Sequence, residues 1–191
     1  ETVGVLGLNQ SSTKWGVART SLCGPRAAEN TSTALTMFEQ LGFAPGPHLA
    51  SLAQVHWPGR FSRIELAGFS CPVFLSGDHN LQGIESLVQI FNGMRWKNLH
   101  LILGVCADKN TAGMYERLES LPGLRLYLTE TPVRTLPLAD YPVRALAAAT
   151  GSDRDVFEVL AMVQRQVQKD DVVVVTGSLY LVASVLQKFG I

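Results

Sequence analysis

Four consecutive valines, Val172 to Val175, constrain this chain more than any other feature. A β-branched run without polar interruption lacks the alternation of a strand with one wet face, so protein must cover both of its faces. From Cys71 onward the theme repeats at residues 72–76, 99–104 and 124–129, each bounded by Gly, Pro or charged residues. Segments of helical period lie between these runs. Ile84, Leu87, Val88 and Phe91 fall at i, i+3, i+4 and i+7, and Val156, Val159, Leu160 and Val163 repeat the spacing. Ser152, with Asp155 three residues on, is expected to cap the second of these helices. Leu179, Val182 and Leu186 mark a last helix. Strand and helix in alternation predict an α/β domain: a Rossmann-like, mostly parallel sheet with helices on both faces.

Residues 1–56 read differently. A Gly-rich opening leads to a helix expected over about 30–41 and closed by Gly42, then Pro45-Gly46-Pro47 and a second short helix. This stretch is too small for a domain and is expected to be a short, mainly helical segment preceding the sheet. His56-Trp57-Pro58-Gly59-Arg60 is the natural boundary, because Pro and Gly stop a helix and allow a sharp redirection. At 191 residues, 47% of them hydrophobic, the chain has material for one sizeable core.

Composition narrows the function classes. Sixteen basic residues balance sixteen acidic ones, so no net field draws the chain to nucleic acid or an anionic membrane. No apolar run approaches the roughly 20 residues that span a bilayer, and no targeting segment is visible. Cys23, Cys71 and Cys106 are odd in number and far apart, which argues against a disulfide framework or a structural zinc site and fits a reducing cytoplasm. The chain opens on Glu1 and not on methionine, so further sequence upstream is expected.

Three strand-to-helix corners carry the residues with chemical potential. Ser76-Gly77-Asp78-His79-Asn80 runs from an apolar strand straight into an amphipathic helix, the place where open α/β sheets bind ligands. The same Asp78 or Asn80 can equally serve as a helix cap, with His79 on the surface. Thr176-Gly177-Ser178-Leu179-Tyr180 repeats the arrangement, and Ser178 can likewise be a cap. Gly104 to Asn110 is the third corner, with Asp108 or Asn110 available for capping. Arg60, just after Pro58-Gly59, can present a guanidinium to phosphate or carboxylate from a neighbouring domain. No GxxxxGK[ST] loop occurs, and His48, His56, His79 and His100 lack the spacing of a metal cluster, so no metal ligands are assigned.

Taken in order, Trp57-Pro58-Gly59-Arg60-Phe61, Gly77-Asp78-His79-Asn80 and Val175-Thr176-Gly177-Ser178-Leu179-Tyr180 resemble the signatures of folylpolyglutamate and dihydrofolate synthases. Gly104 to Lys109 resembles that family's strand-end Asp-Lys segment, and Asn30 resembles an asparagine that opens a helix late in its ATPase domain. The resemblance implies that residues 1–56 are the tail of the central ATPase domain, 57–61 a hinge, and 62–191 a C-terminal domain akin to that of the Mur ligases. It implies an ATP- and Mg²⁺-dependent ligase joining L-glutamate to dihydropteroate or tetrahydrofolate through an acyl phosphate, with the phosphate-binding loop and most magnesium contacts upstream. This chain alone is then expected to be inactive, and the full-length enzyme monomeric.

By position, Arg60 would contact the ATP phosphates, and Asn30, Ser76 and Asp78 the nucleotide. His79, Asn80, Ser178 and Tyr180 would hold the incoming glutamate or the acyl phosphate. Two departures stand out. The family usually carries a nucleotide-contacting aspartate three residues before this histidine, where this chain has Ser76 followed by Asp78, and Arg26-Ala27 replaces a His-Gln pair before Asn30. A non-catalytic Rossmann-like module for a small anion or nucleotide, and a Mur-type cell-wall ligase domain, remain alternative readings of the same residues.

Overall fold

The computed structural model describes residues 9–190. They begin with an antiparallel hairpin of β1 (Asn9–Thr13) and β2 (Gly16–Thr20). Nothing apolar announces it. Its turn is closed by Thr13, whose hydroxyl donates to the Gly16 carbonyl at 2.7 Å, and Gly16 takes a φ of 129° that favours glycine. Ala18 of β2 packs with Leu35 and Leu49 in a small core of its own.

Helix α1 spans Pro25–Gln40, so it starts five residues before the expected position. Pro25 explains the start, since a first-turn proline has no N–H to leave unsatisfied and its φ is already helical. Asn30 therefore sits in the second turn of α1 and does not open it. Gly42, at φ 90°, follows the helix end as expected. A 3-10 helix, Gly46–Gln54, is the second short helix of this mainly helical segment.

The main sheet has six strands in the order β3-β4-β8-β5-β6-β7. These are β3 (Arg60–Ile64), β4 (Val73–Ser76), β5 (Leu99–Gly104), β6 (Leu124–Thr129), β7 (Ala149–Ser152) and β8 (Val172–Thr176). All pair in parallel except β3, which runs antiparallel along β4 at one edge. The four apolar runs became β4, β5, β6 and β8. Two edge strands had no such signal. In β3 the pairing slips between Arg60 and Ser62, and Phe61 takes a left-handed φ of 52°. Its apolar residues thus fall three apart at Phe61 and Ile64, not two.

The helices are α2 (Leu81–Asn92), α3 (Thr111–Leu118), α4 (Val143–Ala148), α5 (Val156–Gln164) and α6 (Leu179–Phe189). They cover both faces, and the valine run shows why that was required. Val172 and Val174 join Leu101, Leu103, Leu126 and Leu128 in one core with α2 and α3, centred on Ile84, Leu87, Phe91, Met114 and Leu118. Val173 and Val175 join Val73, Leu75, Ile102 and Tyr127 against α5 and α6. At about 25 cal/mol per Å² of apolar surface, each such valine contributes roughly 1.5 kcal/mol or more on burial.

One expected cap is corrected. Ser152 ends β7, and Asp155 is itself the N-cap of α5, accepting from Phe157 N at 2.9 Å. Asp153 in turn accepts from Asp155 N at 2.8 Å, so the two aspartates order the turn that separates Ser152 from the helix. Among the described residues, no helix is long and apolar enough to cross a membrane.

Candidate functional site

Because β8 enters the sheet between β4 and β5, the carboxyl ends of these three strands lie side by side. Their turns, and the turn before β3, are packed through backbone. Gly77 N donates to Gly59 O at 2.7 Å, and Gly177 N donates to Asp78 O at 3.0 Å. Gly177 adopts φ 102°, and a Cβ there would stand 2.5 Å from the Gly104 carbonyl. Only glycine permits that approach.

A cavity of about 390 Å³ opens beside this row, between α1, the Trp57–Phe61 turn and the start of α2. Its walls bring together Asn30, Arg60, Ser76, Asp78 and Asn80, five of the residues singled out in the sequence. His79, Ser178 and Tyr180 are not part of its lining. His79 lies one residue away, its Nδ1 2.8 Å from Gly77 O. Ser178 is buried and caps α6, accepting from Tyr180 N at 3.1 Å, while Tyr180 is exposed. Asn80 caps α2 by accepting from Gly83 N at 2.8 Å, so capping and pocket lining fall to one residue.

Asp78 dominates the electrostatics. Burial pushes its carboxyl above the usual range, opposed by the Ser76 hydroxyl that donates to Oδ2 at 2.5 Å and by the charges of Arg60 and His79. The side chain thus folds back over Ser76, and the two act as one polar unit on the pocket wall. Arg60 itself has no carboxylate within ion-pair distance among the described residues, leaving its guanidinium available to an anion.

Two lining residues with chemical potential, Arg26 and Trp57, stand in stretches noted in the sequence without being assigned to the site. Arg26 reaches the pocket from the first turn of α1, paired among the described residues with Glu29 at 3.3 Å on the surface, and Trp57 offers an indole that is 61% exposed. Taking Pro25 as the first helical residue would have placed Arg26 one turn before Asn30, on the same side of α1. At the third corner Asn110 caps α3, and Asp108 pairs with Lys109 at 2.9 Å and Arg134 at 3.3 Å. Cys106 is buried with its sulfur 3.6 Å from Ser178 Oγ. Among the described residues no three His, Cys, Asp or Glu side chains come together as metal ligands.

No family model matches the chain. Over 179 residues it is 25% identical to the dihydrofolate synthase/folylpolyglutamate synthase of Bacillus subtilis, covering 89% of this chain and 40% of the relative. Over 138 residues it is 31% identical to the folylpolyglutamate synthase of Lacticaseibacillus casei, covering 71% of this chain and 30% of the relative. The chain is a relative of the folylpolyglutamate and dihydrofolate synthases, and matches their C-terminal part.

The fold agrees. Mycobacterium tuberculosis folylpolyglutamate synthase complexed with ADP superposes with a TM-score of 0.78 at 23% identity, over 100% of this chain and 46% of that one. A bifunctional folylpolyglutamate synthase/dihydrofolate synthase with Mn, AMPPNP and L-glutamate bound gives 0.74 at 21% identity, over 88% of this chain and 40% of that one. The chain therefore spans less than half the length of the folylpolyglutamate synthases it matches.

Proposed function

We propose that the protein carrying this chain is an ATP-dependent ligase that adds L-glutamate to dihydropteroate, tetrahydrofolate or both. In this reading residues 1–56 are the tail of the central ATPase domain, 57–61 the hinge, and 62–191 the C-terminal domain. The observation that carries it is the cavity in which Asn30 of α1 meets Arg60 of the hinge and Ser76 and Asp78 of the sheet domain. A site built across that junction can close on a nucleotide and exclude water.

The reaction asks for little covalent help from protein and much charge neutralisation. A carboxylate oxygen of the acceptor bonds to the terminal phosphorus of ATP as ADP leaves. The glutamate nitrogen then bonds to the acyl carbon as phosphate leaves and the amine loses its proton. Arg60 offsets charge on the phosphates, and Asn30 holds the nucleotide. The Ser76–Asp78 unit supplies the carboxylate that the family usually carries three residues before the histidine. Asn80 of the cavity wall, with His79, Ser178 and Tyr180 at the neighbouring strand-end turns, orients glutamate or the acyl phosphate for attack. Mg²⁺, when bound, shields the phosphate charge. Asp78 is the carboxylate in this pocket able to face it, and the other ligands and the phosphate-binding loop belong to the upstream half. The 191-residue chain alone is accordingly inactive, and the whole enzyme a cytoplasmic monomer.

The test is glutamate incorporation by the whole protein with ATP, using dihydropteroate and then tetrahydrofolate as acceptor. ATP-dependent product with at least one acceptor supports the reading. A protein inert toward both sinks it.

A further inference from the structure

Asp78 is attached to two places at once. Its side chain lines the cavity and accepts from Ser76 Oγ, while its main-chain oxygen leaves the cavity and accepts from Gly177 N at 3.0 Å and Thr176 Oγ1 at 3.4 Å. Both of these hydrogen bonds between the β4 turn and the β8 turn end on that single oxygen. Gly177 has no slack to absorb a shift, because its backbone already lies against the Gly104 carbonyl. The next residue, Ser178, is 2% exposed and holds the first turn of α6 through Tyr180 N.

We infer that Asp78 is a positioning residue that couples occupancy of the pocket beside α1 to the geometry of the Ser178 turn, resting on the reading of that pocket as a nucleotide site. An anion seated on Arg60 takes the guanidinium's field away from the Asp78 carboxylate and competes for the Ser76 hydroxyl. Moving the Asp78 side chain turns its peptide, and the peptide oxygen carries Gly177 with it. The coupling runs through a continuous hydrogen-bonded path of Ser76, Asp78 and Gly177, with no diffuse motion required. Its consequence is order: the turn that presents Ser178 and Tyr180 takes its working shape once the nucleotide is in place.

The test follows backbone amide resonances of the whole protein carrying this chain during titration with ADP. In the unmodified chain ADP shifts the amides of pocket residues Asn30 and Arg60 and also that of Gly177. Asp78→Ala and Ser76→Ala each cut the Gly177 shift at least twofold, and Asp78→Asn, which can still accept from Ser76, retains it. Two variants acting from opposite ends of one hydrogen bond guard against a single misfolded protein. A Gly177 shift that survives in both alanine variants, or shifts at Asn30 and Arg60 with none at Gly177, overturns the coupling and leaves the pocket reading standing. No shift at any pocket residue overturns both.

Discussion

His100 and Asp171 meet at the amino-terminal edge of the parallel strands, Nε2 to Oδ2 at 3.3 Å, both almost wholly buried. Asp171 also accepts from Asn98 N, Asn98 Nδ2 and Gln168 N at 3.0, 2.8 and 2.8 Å. Burial alone would raise its carboxyl, but these bonds outweigh it and hold Asp171 below the usual range. Burial lowers His100, against the opposing pull of Asp171. In each case the unfolded chain binds protons that the folded one refuses, so stability falls as pH falls.

The His100 contribution starts to be lost near its ordinary value of about 6.5, and that of Asp171 only near about 3.9. Melting temperature should therefore decline between pH 7.5 and 5.5, and His100→Gln should flatten that decline. An unchanged slope in the variant would assign the acid sensitivity elsewhere. Asp171→Ala, which strands several buried donors, should cost about 3–5 kcal/mol in urea unfolding.

Gly177→Ala places a methyl against the Gly104 carbonyl at a φ of 102°. Strained backbone of this kind costs roughly 1–3 kcal/mol before any clash is counted, so a loss of about 2 kcal/mol or more is expected. Gly42→Ala is the control. Its φ is also positive, at 90°, but nothing lies within 4 Å, and about 1 kcal/mol is expected. Equal midpoints for the two variants in urea would deny the close packing of the turns.

Tyr141 is buried under the carboxyl ends of β5 and β6, accepting from Val105 N at 3.0 Å and donating to Thr129 O at 2.9 Å. Tyr141→Phe leaves both partners unpaired in the core. Calorimetry should record a loss of about 1–3 kcal/mol with the fold retained. A variant as stable as the parent would show that these groups find other partners.

The layered sheet was legible because Val172 to Val175 and three further short, β-rich apolar runs are bounded by turn residues and alternate with helical periods. The outer elements were not. Phe61 bulges out of the period-two pattern in β3, β7 is a half-exposed edge with no apolar run, and the β1–β2 hairpin is set by Thr13 and Gly16. Site legibility divided along the same line. Arg60, Ser76, Asp78 and Asn80 sit at glycine-marked ends of strongly patterned elements, where chain direction fixes position. Arg26 is carried to the cavity by the Pro25 start of α1 together with the packing of α1 on α2, and Trp57 by the turn before β3, so both positions depend on how these elements pack. Ser178 caps α6, one of the two roles its position at a strand-to-helix corner offers.

Calorimetric titration of the whole protein with ADP decides whether the cavity beside α1 holds a nucleotide through Arg60. ADP should bind the unmodified protein, and Arg60→Ala should weaken binding at least tenfold, about 1.4 kcal/mol, without lowering the melting temperature of the free protein. Equal affinity for ADP in the two proteins would contradict the account.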